Sequence, residues 1–195
     1  MNTSRVVLGG LATASLLALA ACGSRADEEA AAPAATATEE PAAAETEAAP
    51  AAAMEPEVEP NGTIIEVQML TRDPDGGGMQ AFKPRLITAK VGDTIKFIPT
   101  DPTHQSSSID GMIPEGARGW EGEINKEVSY VVPKPGIYGF KCVPHLAAGM
   151  VGLIVVEGDG KTANLEAAKA VSHPGLAKGK FEEIFAEAES QGLLK

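Results

Sequence analysis

Cysteine is nearly absent from this chain: Cys22 and Cys142 are the two it has in 195 residues. A membrane-spanning run is missing as well. The apolar stretch Val6 to Ala21, flanked by the lone cation Arg5, is too short and too lightly charged at its edge to cross a bilayer, and residues 1–21 read as a signal peptide. Basic residues are outnumbered, 16 to 27, for a net charge of −11. The imbalance is local, since residues 1–61 carry 2 basic and 10 acidic side chains and residues 62–195 carry 14 and 17. The part able to fold thus offers no basic face for nucleic acid. No internal repeat is visible, and a single domain is expected.

The run Leu19-Ala20-Ala21-Cys22 resembles a bacterial lipobox. That resemblance implies export, removal of the signal and lipid on Cys22, so that the mature chain is periplasmic and held to a bacterial membrane by acyl groups alone. Residues 22–61 then form a tether of Ala, Glu, Thr and Pro. Such a composition buries too little surface to offset its ordering entropy, and Pro33, Pro41, Pro50, Pro56 and Pro60 interrupt every helical stretch. As a flexible coil, about 38 residues give a reach of roughly 35 Å.

With Cys22 lipidated, Cys142 has no cysteine to pair with in an oxidising compartment, where an idle thiol is a liability. Its neighbours suggest an occupant. Cys142-Val143-Pro144-His145 is followed five residues later by Met150, and His104 stands far upstream. A thiolate, two imidazoles and a thioether make the donor set of type 1 copper: three strong ligands in a plane and a weak axial sulfur. Taken singly, Met150 reads as core filler, Cys142 as a small buried residue and His104 as a loop residue. The spacing on one short loop makes the combination specific. His173, beside Pro174 and Gly175, reads as a polar turn residue.

The folded part, residues 62–195, shows period-two patterning. Ile65, Val67 and Met69 alternate with polar residues, Ile95 and Phe97 flank Lys96, and Val128, Tyr130 and Val132 follow the same rule. After the Pro135-Gly136 turn, Tyr138, Phe140 and Cys142 share one face, while Val151 to Val156 is apolar on both parities. Short strands separated by turns predict an antiparallel β-sandwich or barrel. Within residues 164–191 the period changes. A short helix from Asn164 to Val171 is expected, with Asn164 as its cap, and a second helix places Leu176, Phe181, Ile184, Phe185 and Ala188 on one stripe.

From about Gly78 to Ala188 the chain resembles the pseudoazurin branch of the cupredoxin family. The resemblance rests on Val91-Gly92-Asp93-Thr94, Phe97-Ile98-Pro99, Gly111-Met112-Ile113-Pro114, Lys141-Cys142-Val143-Pro144-His145 and Gly149-Met150. It implies a mainly β, eight-stranded Greek-key sandwich with two C-terminal helices, monomeric, holding one copper through His104, Cys142, His145 and axial Met150. It further implies an electron carrier rather than an enzyme. Electrons would cross a surface built from His145, Met79, Pro144 and Lys141 to a c-type cytochrome, a nitrite reductase or another periplasmic redox protein. Three departures stand out: Gln105 replaces the usual Asn after the first histidine, Leu146 and Ala148 replace an aromatic and a Met, and Trp120-Glu121-Gly122-Glu123 occupies a stretch where the family carries docking lysines.

Two other functions share these residues. Copper delivery or storage would use exposed, exchangeable sulfurs, and a thiol enzyme would need Cys142 free beside His145 as a base. Pro144 lacks an N–H and so removes one hydrogen bond that a neighbouring thiolate would accept, which favours the oxidised metal and lowers the potential. Pro144→Ala restores that donor and is expected to raise the reduction potential of the copper-loaded protein. An unchanged or lower potential by voltammetry counts against this role.

Overall fold

A computed structural model describes residues 57–195. The expected signal peptide, the expected lipidation site Cys22 and most of the expected tether lie outside the described residues. The described residues form eight strands: β1 Ile64–Arg72, β2 Met79–Lys83, β3 Leu86–Lys90, β4 Thr94–Ile98, β5 Ser107–Ser108, β6 Val128–Val131, β7 Gly136–Lys141 and β8 Val151–Glu157. A 3₁₀ helix spans Val143–Ala148, and α1 (Leu165–Ala170) and α2 (Ala177–Ser190) follow.

The strands form two sheets of four, ordered β2-β1-β4-β6 and β3-β8-β7-β5. Their pairing is mixed rather than antiparallel throughout: β1 runs parallel to β4 and β3 parallel to β8. The reason lies in the connections. After the β1–β2 hairpin the chain crosses to the other sheet for β3 and returns as β4 beside β1, and a strand that returns after such an excursion arrives in the original direction. Alternating burial reports which face of a strand is inside and is silent on its direction.

Between the sheets lies an aromatic core. Phe82 meets Phe140 edge-on at 4.8 Å, Phe97 meets Phe140 at 5.1 Å, and Trp120 stacks on Phe97 at 5.4 Å and packs on Tyr130 at 4.6 Å. Each such pair adds about 0.5–1.5 kcal/mol beyond area burial. Cys142 and Met150 belong to the same core, so close packing on the aromatic rings limits the movement of both side chains.

A second apolar cluster explains why β8 is apolar on both parities. Ile154 and Val156 face the aromatic core, whereas Val151, Leu153 and Val155 face outward and are covered by Phe181, Ile184 and Phe185 of α2 and Ala168 of α1. Gly152 sits where a Cβ would come within 2.2 Å of the Phe140 ring and 2.7 Å of the Arg85 carbonyl. That close approach lets β8 lie between β3 and the core aromatics.

Two sequence expectations for the tail are corrected. Leu176 is exposed rather than on the buried stripe, because it precedes the first turn of α2 and Ala177 takes the buried position instead. Asn164 precedes α1 but makes no side-chain cap. Its amide is committed to β7: Oδ1 accepts the Ile137 N–H at 3.0 Å and Nδ2 donates to the Ile137 carbonyl at 2.8 Å. Asn164→Ala leaves both backbone groups of Ile137 unpaired beside the core and is expected to cost about 1–3 kcal/mol. Denaturant unfolding measures it, and a loss below about 0.5 kcal/mol would mean the pair is dispensable.

Candidate metal centre

Three of the four expected donors come from one short loop. Cys142 N–H donates to the Met150 carbonyl at 3.0 Å, Met150 N–H to the His145 carbonyl at 3.2 Å, and His145 N–H to the Cys142 carbonyl at 3.1 Å. The backbones of these residues thus form a closed hydrogen-bonded circuit. Pro144 starts the 3₁₀ turn, and Gly149, at φ 89°, ends it in a left-handed conformation that suits a residue without Cβ. Lys141 pairs with Val151 across β7 and β8, which sets Cys142 opposite Met150 with both side chains in the core.

His104 arrives on the segment between β4 and β5 and has its own supports. Its carbonyl accepts the Asn125 N–H at 2.8 Å, and Asn125 Oδ1 accepts the Thr103 N–H at 2.5 Å. Thr103 (φ 75°) and Asn125 (φ 62°) are both left-handed, which is uncommon for β-branched threonine. The Asn125 clamp offsets that strain and holds His104 fully buried. The following serines are firmly engaged: Trp120 Nε1 donates to Ser106 Oγ at 3.2 Å and Trp120 N–H to Ser108 Oγ at 3.0 Å. Gln105 braces the same segment, its amide donating to the Gly122 carbonyl at 3.0 Å and to Ser107 Oγ at 3.3 Å.

Three donor atoms then converge. His104 Nδ1 lies 3.1 Å from His145 Nδ1 and 3.9 Å from Cys142 Sγ, and His145 Nδ1 lies 3.3 Å from the sulfur. A triangle with these sides has a centre about 2 Å from every corner, the length of a bond from imidazole nitrogen to a first-row divalent ion. One shared proton can satisfy only one of the three edges. The donor set therefore fits a single thiophilic metal ion. Among the described residues it is the one cluster of His, Cys, Asp or Glu of this kind.

Electrostatics agree with that fit. Burial, reinforced by the charge His145 would carry, holds His104 below the ordinary histidine range. Burial also pushes the Cys142 thiol up, while N–H groups of Gln105 and His145 directed at its sulfur work in the opposite direction. Both groups are thus neutral at neutral pH without metal, and a bound cation would displace the thiol proton.

A match to the copper-binding proteins of the plastocyanin/azurin family covers residues 67–157. The chain is 45% identical over 125 residues to the pseudoazurin of Methylorubrum extorquens, spanning 64% of this chain and 82% of that one. The chain belongs to the pseudoazurins. The pseudoazurin of Paracoccus pantotrophus is 38% identical over 122 residues, 63% of this chain and 81% of that one. The solved pseudoazurin from Sinorhizobium superposes with a TM-score of 0.62 at 44% identity, covering 66% of this chain and 98% of that structure. Copper is accordingly the metal of this protein, and its class is that of the blue copper electron carriers.

The remaining sequence candidates are distributed around the cluster. His145 and Lys141 are half-buried, Pro144 and Met79 are exposed, and Met79 lines the same surface cleft as Gly149. His173 packs its ring on Phe181 at 4.3 Å, apart from the three converging donors, and burial lowers its pKa with a further contribution from Lys141.

Sequence reasoning missed Thr71. Its Oγ1 lies 3.3 Å from His104 Nε2, and its N–H is anchored to Asp101 Oδ2 at 2.7 Å. With Nδ1 as the metal-facing atom, Nε2 carries the proton and donates to Thr71, which orients the ring and raises its basicity. A threonine 33 residues away on β1 carries no local signal of this role. Thr71→Val keeps the shape and removes the acceptor, so the oxidised copper loses stabilisation and the potential is expected to rise, by at most roughly 60 mV, the equivalent of one hydrogen bond of about 1.4 kcal/mol. A potential that stays constant or falls would dismiss the bond as a tuning device.

Proposed function

We propose that His104, Cys142 and His145 hold one copper ion in plane with Met150 as axial donor, and that the protein shuttles single electrons between periplasmic redox proteins. The observation that carries this reading is the convergence of two imidazole nitrogens and a buried thiol around a point about 2 Å from each. Copper bound there supplies a one-electron couple. The chain's own part is to keep the donors in place: Cys142 is pinned by the core, His104 by Thr71 and Asn125, and the ligand loop by its backbone circuit. His145 is half-buried while Cys142 and Met150 are fully buried, so its outer edge is the shortest route from the metal to a docked partner.

Copper delivery is less well supported, since exchange with an acceptor needs accessible donors and three of these four are sealed from solvent. A thiol enzyme is likewise disfavoured, because burial keeps Cys142 protonated and inaccessible. Lipid on Cys22, anchoring to a bacterial membrane and a periplasmic location are part of this proposal, supported by the apolar run ending in Leu19-Ala20-Ala21-Cys22. A c-type cytochrome or a nitrite reductase is the proposed kind of partner.

Copper-loaded protein is expected to take up one ion per chain, to be intensely blue when oxidised, and to bleach reversibly on reduction. Cys142→Ser is expected to abolish the colour while leaving the fold intact by circular dichroism. A colourless oxidised protein, or an unaltered spectrum in the serine variant, would defeat the assignment.

A further inference from the structure

Among the described residues three that are not glycine have positive φ: Thr103 at 75°, Asn125 at 62° and Gln80 at 56°. Strained backbone of this kind concentrates where a site needs it. Thr103 precedes His104 and Asn125 clamps the His104 carbonyl, so the first two serve one ligand. Gln80 reaches the same ligand through the sheet. The pairs Leu70–Ala81 and Arg72–Met79 bracket Thr71 and Gln80 and set them opposite each other, where facing Cβ atoms come within about 4.5–5.5 Å. Thr71 has the parity of buried Met69, and Gln80 that of buried Phe82, so both belong to the inner face.

A second observation singles out Gln80. Its Oε1 is buried without a hydrogen-bond partner, the one such side-chain atom among the described residues. A buried acceptor left in that state is costly and calls for a donor. Thr71 has one to give. Its Oγ1 lies 3.3 Å from His104 Nε2, while His104 Nδ1 faces His145 Nδ1 at 3.1 Å and Cys142 Sγ at 3.9 Å. For Nδ1 to offer its lone pair to a metal, Nε2 must hold the ring proton and Thr71 must accept it. The hydroxyl's own proton then points away from the ring, and the Thr71 hydroxyl has no other partner among the described residues. Without an outlet, the hydroxyl can instead donate to Nε2. The ring proton then moves to Nδ1, where it bonds His145 and occupies the metal-facing lone pair.

We propose that Gln80 is a positioning residue of the metal centre: its Oε1 takes the Thr71 hydroxyl proton, which fixes Thr71 as an acceptor and His104 as the Nε2–H tautomer with Nδ1 bare. A turn of the flexible glutamine side chain toward Thr71 makes the bond. The ring stays neutral throughout, and one proton is held on Nε2 rather than on Nδ1. This deepens the copper site proposed above and rests on it. Because the relay from Gln80 through Thr71 to His104 contains no metal, it prepares the buried ligand before an ion arrives.

The test compares unaltered protein with Gln80→Met, similar in length but without the acceptor, and Gln80→Glu, which keeps an acceptor oxygen. In metal-free protein carrying isotope-labelled histidine, the ring-nitrogen chemical shifts give the tautomer of His104. Unaltered protein is expected to favour Nε2–H by about tenfold or more, and Gln80→Met to bring the two forms to within about threefold of each other with circular dichroism unchanged. Gln80→Glu should keep the unaltered ratio. In copper-loaded protein, Gln80→Met should raise the reduction potential, the same direction as Thr71→Val, because a less well-oriented Thr71 braces His104 less. A predominant Nδ1–H form in the unaltered protein, an unchanged ratio in Gln80→Met, or the same loss in Gln80→Glu, in protein that still binds reducible copper, would overturn the positioning role alone. Protein that takes up no reducible copper would overturn the function and this role together.

Discussion

Everything in this structure depends on bringing three electron-pair donors to within 4 Å of one another in a dry place. Unmetallated, that arrangement sets two imidazole lone pairs against each other and against a thiol that burial keeps protonated, an unfavourable grouping unless the surroundings enforce it. Enforcement comes from the aromatic core. Phe140 is wedged among Phe82, Phe97 and Trp120, and Cys142 sits two residues further along the same chain on the same face. The sulfur can move little unless the core repacks.

His104 solves the same problem by other means, because it lies on irregular backbone without a strand's hydrogen bonds. Its position is fixed by small polar contacts: Asn125 on its carbonyl, Thr71 on its ring, and Gln105 and the serines fastening the next residues to the Trp120–Gly122 segment. The two halves of the centre are thus held by different physics. Packing fixes Cys142, and hydrogen bonding fixes His104. The Gln105 side chain spans the gap to the Gly122 carbonyl, to which its amide donates.

The meeting of Cys142 with His145 was legible in the sequence because the pattern is rare and local: a cysteine without a pair, with a histidine three residues on. Both inner and outer faces of β8 were legible too, since an apolar run on both parities requires two covers. What escaped was whatever depends on how distant segments meet. Strand direction leaves no mark in alternation, so the parallel pairs β1–β4 and β3–β8 went unseen. The Thr71 contact and the use of Asn164 as a brace on Ile137 share this cause: both polar side chains spend their hydrogen bonds on segments 33 and 27 residues away. Leu176 shows the complementary failure. Helical periodicity assigned it to the stripe, but it lies before the first turn, where the stripe has not begun.

That misassignment has an energetic side. A leucine left in water beside the ligand loop costs solvation free energy of the order of 1.5–3 kcal/mol relative to a buried one, and Val143, Met79 and Ile124 add to the same exposed area. At the same end Lys83, Arg85 and Lys180 pair with Asp73, Asp75, Glu183 and Glu187. Donors held by packing and hydrogen bonds need little rearrangement between oxidation states of a bound ion.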